Sequence, residues 1–313
     1  MVANFGFIGS PSFGKRTDSS NIVSNIVYWL DISFLQNGQF CNIGLHELDY
    51  LGNDLSKLMP ITGTGWVDGQ VYQSKFKNWI YESGLTLDAG ITAPKICSGI
   101  WIGGDFYTKT AATGALTYHI DYRNGRIIFD TAYGPDYVYG SGEGSVPIYS
   151  EFSYKNIYIL SDEDATQNAV MAQFTTMSAG SGIEYLKTLE IPLPVISIYE
   201  RRKEWRPRQI GGSKIALPTV ICHIYSSNTT DRNALCDILA QQENKKVPSI
   251  DWSTCETPLN EYGDINPLFS GIYDIRTTYP WKDIYITKST SEKTNIEIPE
   301  GIINYSIEVE SYM

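Results

Sequence analysis

Metal-ligating and redox-active side chains are scarce in this sequence. Its three histidines are His46, His119 and His223, and none has a second histidine or a cysteine at metal-site spacing. Its five cysteines, Cys41, Cys97, Cys222, Cys236 and Cys255, form an odd set with no Cys-x-x-Cys pair. That argues against a disulfide framework and for buried thiols in a reducing compartment. No apolar run approaches the ~18 residues of a membrane span. The opening MVANFGFIGSPSFGKR has no basic leader followed by an apolar stretch. The expectation is a soluble product of the cytosol with no membrane partner. Positive charge is short as well: 24 Lys and Arg stand against 35 Asp and Glu, a net charge of -11. Such a balance disfavours sequence-reading of DNA, which needs cations against phosphates. It suits a wall along which DNA slides without sticking.

Aromatic residues are abundant, with 22 Tyr, 11 Phe and 7 Trp. They favour pleated strands and large interfaces. At 313 residues the chain is long enough for its core to split, so two domains are expected. Residues 1–17 read as an irregular arm of Gly, Ser, Pro and Phe. Asp18 or Ser19 then caps a helix whose apolar positions, Ile22, Val23, Ile26, Val27 and Leu30, recur at helical spacing, and Asn37-Gly38 closes it. From Phe40 to Leu160 the pattern is of short strands, among them Val71–Tyr81 and Ile100–Tyr107, the latter broken by Gly103-Gly104. In YHIDYRNGRIIFD, Tyr118 to Asp130, Asn124-Gly125 is the type I′ hairpin dipeptide.

Helix formers take over at Asp162 to Phe174 and again at Ile183 to Leu189. A strand follows at Val195 to Glu200, then a basic exposed loop from Arg201 to Gly212. The rest reads as a strand at Pro218 to Tyr225, a helix capped by Thr230, or by Asn228 before it, and running to about Asn244 with Leu235, Ile238 and Leu239 buried, and strands at Gly271–Thr278, Lys282–Lys288 and Ile302–Tyr312. In the last, Ile303, Tyr305, Ile307 and Val309 alternate with polar residues. The expected fold is β-rich α+β. Residues 1–17 form an extended arm, 18–162 an antiparallel β-sandwich with an N-terminal helix, and 163–313 a smaller α+β domain.

Motifs for catalysis are weak. Gly9 to Lys15 matches G-x-x-x-x-G-K, but Arg16 occupies the place of the magnesium-binding Ser or Thr, and no βαβ pattern follows. Cys222 and His223 are adjacent, so on a strand they face opposite ways. The Asp162, Glu163, Asp164 run fits a helix N-terminus better than an acid–base pair. The aromatics at Trp66–Tyr72 and Trp79–Tyr81 fit a core or an interface better than a sugar platform. No catalytic residue, cofactor or metal is expected. The one island of positive charge is Arg201, Arg202, Lys203, Trp205, Arg206 and Arg208. A solvated loop is the plain reading. The functional one is docking on an acidic neighbour or on nucleic acid, with Trp205 and Arg206 as anchor types.

The blocks NIVYWLDISFL, KNWIYESGL, YRNGRIIFD, TDRNALCDIL and YPWKDIYITKSTSEK resemble structural proteins of tailed, chiefly contractile-tailed, bacteriophages. The second half is similar in element order to tail-terminator and tail-completion subunits, from which the large N-terminal β region departs. The resemblance implies a virion component made in the host cytoplasm, a homo-oligomeric ring of sixfold or twelvefold symmetry. That ring contacts connector and tail proteins and passes DNA without reading it. The alternative is a peripheral receptor- or glycan-binding sandwich, marked by a concave aromatic groove.

Overall fold

The computed structural model describes residues 18–61, 66–109, 114–133, 146–161, 193–207, 214–252, 255, 258–260, 262–268, 281–295 and 299–311. The arm 1–17, the helices expected at 162–174 and 183–189 and the strand expected at 271–278 lie outside them. The chain divides into two compact units. One is drawn from Met1–Asp31, Tyr158–Cys255 and Ile275–Met313, the other from Ile32–Ile157 and Glu256–Asp274. Both are built from separated stretches, where the sequence suggested the continuous domains 18–162 and 163–313.

Helix α1 (Asp18–Gln36) ends where Asn37-Gly38 predicts. Gly38 takes a left-handed φ of 77°. The Gly38 N–H then bonds to the Leu35 carbonyl at 3.0 Å and the Gln39 N–H to that of Phe34 at 3.0 Å. This pair of bonds closes the last turn as a Schellman motif.

The short-strand unit holds β1 (Phe40–Ile43), β2 (Lys57–Pro60), β3 (Val71–Gln73), β4 (Gly99–Ile102), β5 (Asp105–Thr108), β6 (Tyr118–Asp121), β7 (Arg126–Phe129), β8 (Ile148–Tyr149) and β9 (Phe152–Lys155). Seven of them form one antiparallel sheet in the order β5-β4-β8-β2-β3-β7-β6, and β1 pairs with β9. Strand β2 is the junction: Lys57 and Leu58 pair with β8, Met59 and Pro60 with β3. Side chains from both arms of this sheet meet in one core around Leu58, Tyr72, Ile100, Ile127, Phe129 and Ile148. Burying each such side chain contributes about 1.5–3 kcal/mol.

Two turns show how local sequence and packing divide the work. Gly103 and Gly104 both have positive φ, 63° and 95°, between paired Ile102 and Asp105. That is the two-residue hairpin geometry glycine permits. Asn124-Gly125 does form a hairpin, but not by the type I′ turn the dipeptide suggests. Asp121 pairs with Arg126, which leaves the four residues 122–125 in the loop, and only Gly125 has positive φ. The competing partner is the segment 74–79. The N–H groups of Ser74, Asn78 and Trp79 take the carbonyls of Gly125, Arg123 and Tyr122 at 2.9, 2.9 and 2.7 Å. The wide turn satisfies three carbonyls that a tight one would leave elsewhere.

In the long-strand unit the order is β10-β11-β12-β15-β14-β13, from β10 (Tyr158–Leu160), β11 (Val195–Pro207), β12 (Lys214–Tyr225), β13 (Lys246–Val247), β14 (Ile284–Asn295) and β15 (Pro299–Ser311). All pairs are antiparallel except β10 with β11. Helix α2 (Thr229–Ala240) starts at Asn228, whose side-chain oxygen accepts from the Asp231 N–H at 2.8 Å. It buries Arg232, Leu235, Cys236 and Leu239. Ile238, expected inside, is half-exposed instead, because the buried stripe is centred on 232, 236 and 239. The helix lies close on β15: a Cβ at Gly301 would sit 2.2 Å from Cys236 Sγ. Tyr305 donates its hydroxyl to the Leu239 carbonyl at 2.7 Å, and burial raises its pKa.

Strand β15 shows the alternation read from its sequence, with Ile303, Tyr305, Ile307 and Val309 all buried. It is not an edge, however. β12 and β14 flank it over most of its length, so the aggregation hazard of a bare terminal strand is met inside the sheet.

Candidate interaction site

The basic cluster is not a loop. Arg201, Arg202, Lys203, Trp205 and Arg206 belong to β11, which runs on to Pro207 in register with β12. Arg208 lies outside the described residues. The charges had suggested the end of the strand after Glu200; pairing with the apolar β12 carries it further. A β-bulge between Glu200 and Arg202 decides which side each residue takes. Before it, Glu200 pairs with Val220; after it, Arg202 pairs with Thr219 and Trp205 with Ala216. One extra residue exchanges the faces. Without it Arg202, Glu204 and Arg206 would share the face of buried Ala216. With it they point to the other side, and Trp205 takes the Ala216 side.

The result is an aromatic residue with Lys203 on its own face and Arg202 and Arg206 on the opposite one. Trp205 is 47% exposed. The Lys203 ammonium lies over its ring at 5.3 Å, a cation–π contact. Arg202 pairs with Glu204 at 2.6 Å, which tempers but does not cancel the local charge. Between 201 and 208 five cations face one carboxylate.

A second surface was missed in the sequence. The stretch 44–56 folds into a small hairpin with a bridge between Leu48 and Asp54. Asp49 organises its tip. The carboxylate accepts from the Leu51 and Asn53 N–H groups at 2.9 Å each and from the Asn53 side chain at 3.0 and 3.2 Å. These bonds, with that of Asn53 foremost, hold the Asp49 carboxyl below its usual range. The fixed tip displays Tyr50 at 94% and Leu51 at 70% exposure, with Leu48 also exposed. The legible signal was Leu-Asp-Tyr-Leu-Gly-Asn-Asp: dense turn chemistry around apolar residues that have no strand period to bury them.

The polar clusters are bound up in their own units. His223 Nε2 shares a hydrogen bond with the Tyr199 hydroxyl at 3.0 Å, and the Glu300 carboxylate accepts from its Nδ1 at 2.9 Å. Thr294 donates to the second Glu300 oxygen at 3.1 Å. Cys222 faces the opposite side, as adjacency on a strand requires, and burial raises its thiol pKa. Burial likewise pushes the Cys97 thiol up to about 11, so neither is an activated nucleophile. His119 Nε2 lies 3.2 Å from Asp130, with Nδ1 3.6 Å from Asp264, and stacks on Tyr262. Lys109 pairs with the same Asp264 carboxylate. Among the described residues no three His, Cys, Asp or Glu side chains are grouped to hold a metal ion. No described helix is long and apolar enough to cross a membrane.

No protein-family model matches the chain, and no curated protein matches it.

Proposed function

We propose that this chain is a structural subunit of a tailed-phage virion, placed in a neck or tail-terminator ring around the DNA channel, and that it works by contact, not catalysis. The observation that carries the reading is the ordered display of large side chains. Tyr50 and Leu51 stand on a hydrogen-bonded tip, and Trp205 stands beside Lys203 on a paired strand. A monomer gains nothing by fixing such residues in water, whereas aromatic and arginine anchors dominate interface energetics. The acidic balance of the whole chain supports a lumen that does not grip phosphate. The element order strand, strand, helix, strands of the long-strand unit supports the terminator-like reading. The common core of the two arms of the short-strand sheet supports a sandwich-like one.

The test is the mass of the purified full chain in solution by sedimentation equilibrium. The expected result is a closed multiple of the 35.1 kDa subunit. A single-subunit mass at every concentration, with saturable binding to a glycan panel lost in Tyr50→Ser, would favour the peripheral receptor-binding reading.

A further inference from the structure

We infer that the loop bridged by Leu259 and Ile265 is a proton-operated strap, seated on the edge strand β6 most firmly when the His119 ring carries both its protons and loosened when the ring gives one up. The device lies within the short-strand unit and does not depend on how copies of the chain assemble.

The segment Glu256–Asp274 belongs to the short-strand unit, although the chain on either side of it belongs to the other. Its loop is organised by Asn260, whose Oδ1 accepts from the Tyr262 and Asp264 N–H groups at 2.9 and 3.1 Å. Leu259 is buried in the core of the unit, with Ile265 packed against it. The loop meets β6, the last strand of its sheet. The Tyr122 N–H donates to the Gly263 carbonyl at 3.1 Å, and the Ile120 N–H to the Asp264 carboxylate at 3.4 Å. Two donors that an edge strand would leave bare are taken in this way. The approach is close: a Cβ at Gly263 would lie 2.4 Å from Asp121 Oδ1.

His119 stands where strand and loop meet, with Tyr262 stacked on its ring at 4.5 Å. Asp130 lies 3.2 Å from Nε2, and Asp264 lies 3.6 Å from Nδ1. A neutral imidazole has a single N–H, so one of its nitrogens turns a lone pair toward a carboxylate. Imidazolium presents a proton to both. Nδ1 is buried and has no hydrogen-bond partner among the described residues, and a lone pair there faces the negative Asp264 directly. The charges around the ring lead to the same result. Lys109 pairs with Asp264, and Asp121 and Arg126, partners in register, stand on the His119 face of β6 and β7. Asp121, Asp130 and Asp264 thus stand against Lys109 and Arg126, and a second ring proton makes three cations for three carboxylates. Asp264 is only 2% exposed, so water screens this balance little. The linkage has one sign. The seated strap gains from the proton, so it is firmest in mildly acidic solution and loosens as pH rises and the imidazolium is lost.

Amide hydrogen exchange on the full chain reads the strap. The protection factor of the Tyr122 amide, corrected for the intrinsic rate, should rise about fivefold between pH ~8 and pH ~6, the upper range for a partly exposed ion pair. His119→Gln should abolish the rise. Asp130→Asn, at a half-exposed position, should abolish it in the opposite way. With no carboxylate at Nε2, the neutral ring is free to give its one proton to Asp264, and protection at the higher pH should climb to the acidic level. A parent whose Tyr122 protection is the same at both pH values overturns the strap. A rise that survives in either variant overturns it as well, and Asp130→Asn decides alone if circular dichroism shows His119→Gln to be unfolded.

Discussion

Replacing Lys155 by methionine should destabilise the short-strand unit by about 3–5 kcal/mol. Lys155 on β9 and Glu82 are an ion pair at 2.5 Å, with side chains only 7% and 1% exposed. The ammonium also sits 5.1 Å from the Tyr81 ring centre, and the second Glu82 oxygen accepts from the Tyr81 N–H at 3.1 Å. Removing the lysine strands a carboxylate where water cannot solvate it. The energy at stake is that of the orphaned charge and not the worth of the pair, so the double variant Glu82→Gln/Lys155→Met should recover most of the loss. Glutamine keeps an acceptor for the Tyr81 N–H. The check is the denaturant midpoint at unchanged slope. A single variant within about 0.5 kcal/mol of the parent, the scatter of ordinary surface changes, would show the pair to be solvated.

The second large effect is expected in the long-strand unit, from Asn25→Leu. Asn25 lies on α1 and is fully buried. Its side-chain amide holds the backbone of one residue on both sides: it donates to the Ile250 carbonyl at 2.9 Å and accepts from the Ile250 N–H at 2.6 Å. The same Nδ2 donates to the Asn21 carbonyl at 2.8 Å. Leucine fills nearly the same volume, so the cavity cost is small. It leaves the Ile250 N–H without its acceptor, while the Ile250 carbonyl keeps the Trp252 N–H at 3.1 Å; one buried unsatisfied donor costs roughly 1–3 kcal/mol. Stability should fall by about that much, and the Ile250 amide should exchange its hydrogen far faster. Unchanged protection at Ile250 would mean that another acceptor holds that peptide.

What the sequence makes legible here depends on how local the cause is. The end of α1 is readable because the left-handed residue of a Schellman turn favours glycine, and Asn37-Gly38 supplies it at the right place. The core face of β15 is readable because Ile303, Tyr305, Ile307 and Val309 alternate with polar residues over the strand. The hairpin at Asn124-Gly125 is readable as a hairpin, while its turn type was set by amides from 74–79, which no local window contains. The candidate site divides the same way. Its residues stand out by charge. That they continue a strand, and that a bulge turns Arg202 and Arg206 away from the Ala216 face, follows from pairing with β12. The exposed tip at Tyr50 and Leu51 was hidden because apolar residues are ordinarily assigned to a core.

Both surfaces gain their meaning from a neighbour, so the decisive measurement is imaging of intact particles that contain this chain, at a resolution that separates its two units. A closed ring of identical copies at the head–tail junction, encircling the DNA, is expected, with Tyr50 and Trp205 of each copy covered by a neighbour. Single copies or trimers at the ends of fibres, with Tyr50 and Trp205 turned to solvent, would contradict it.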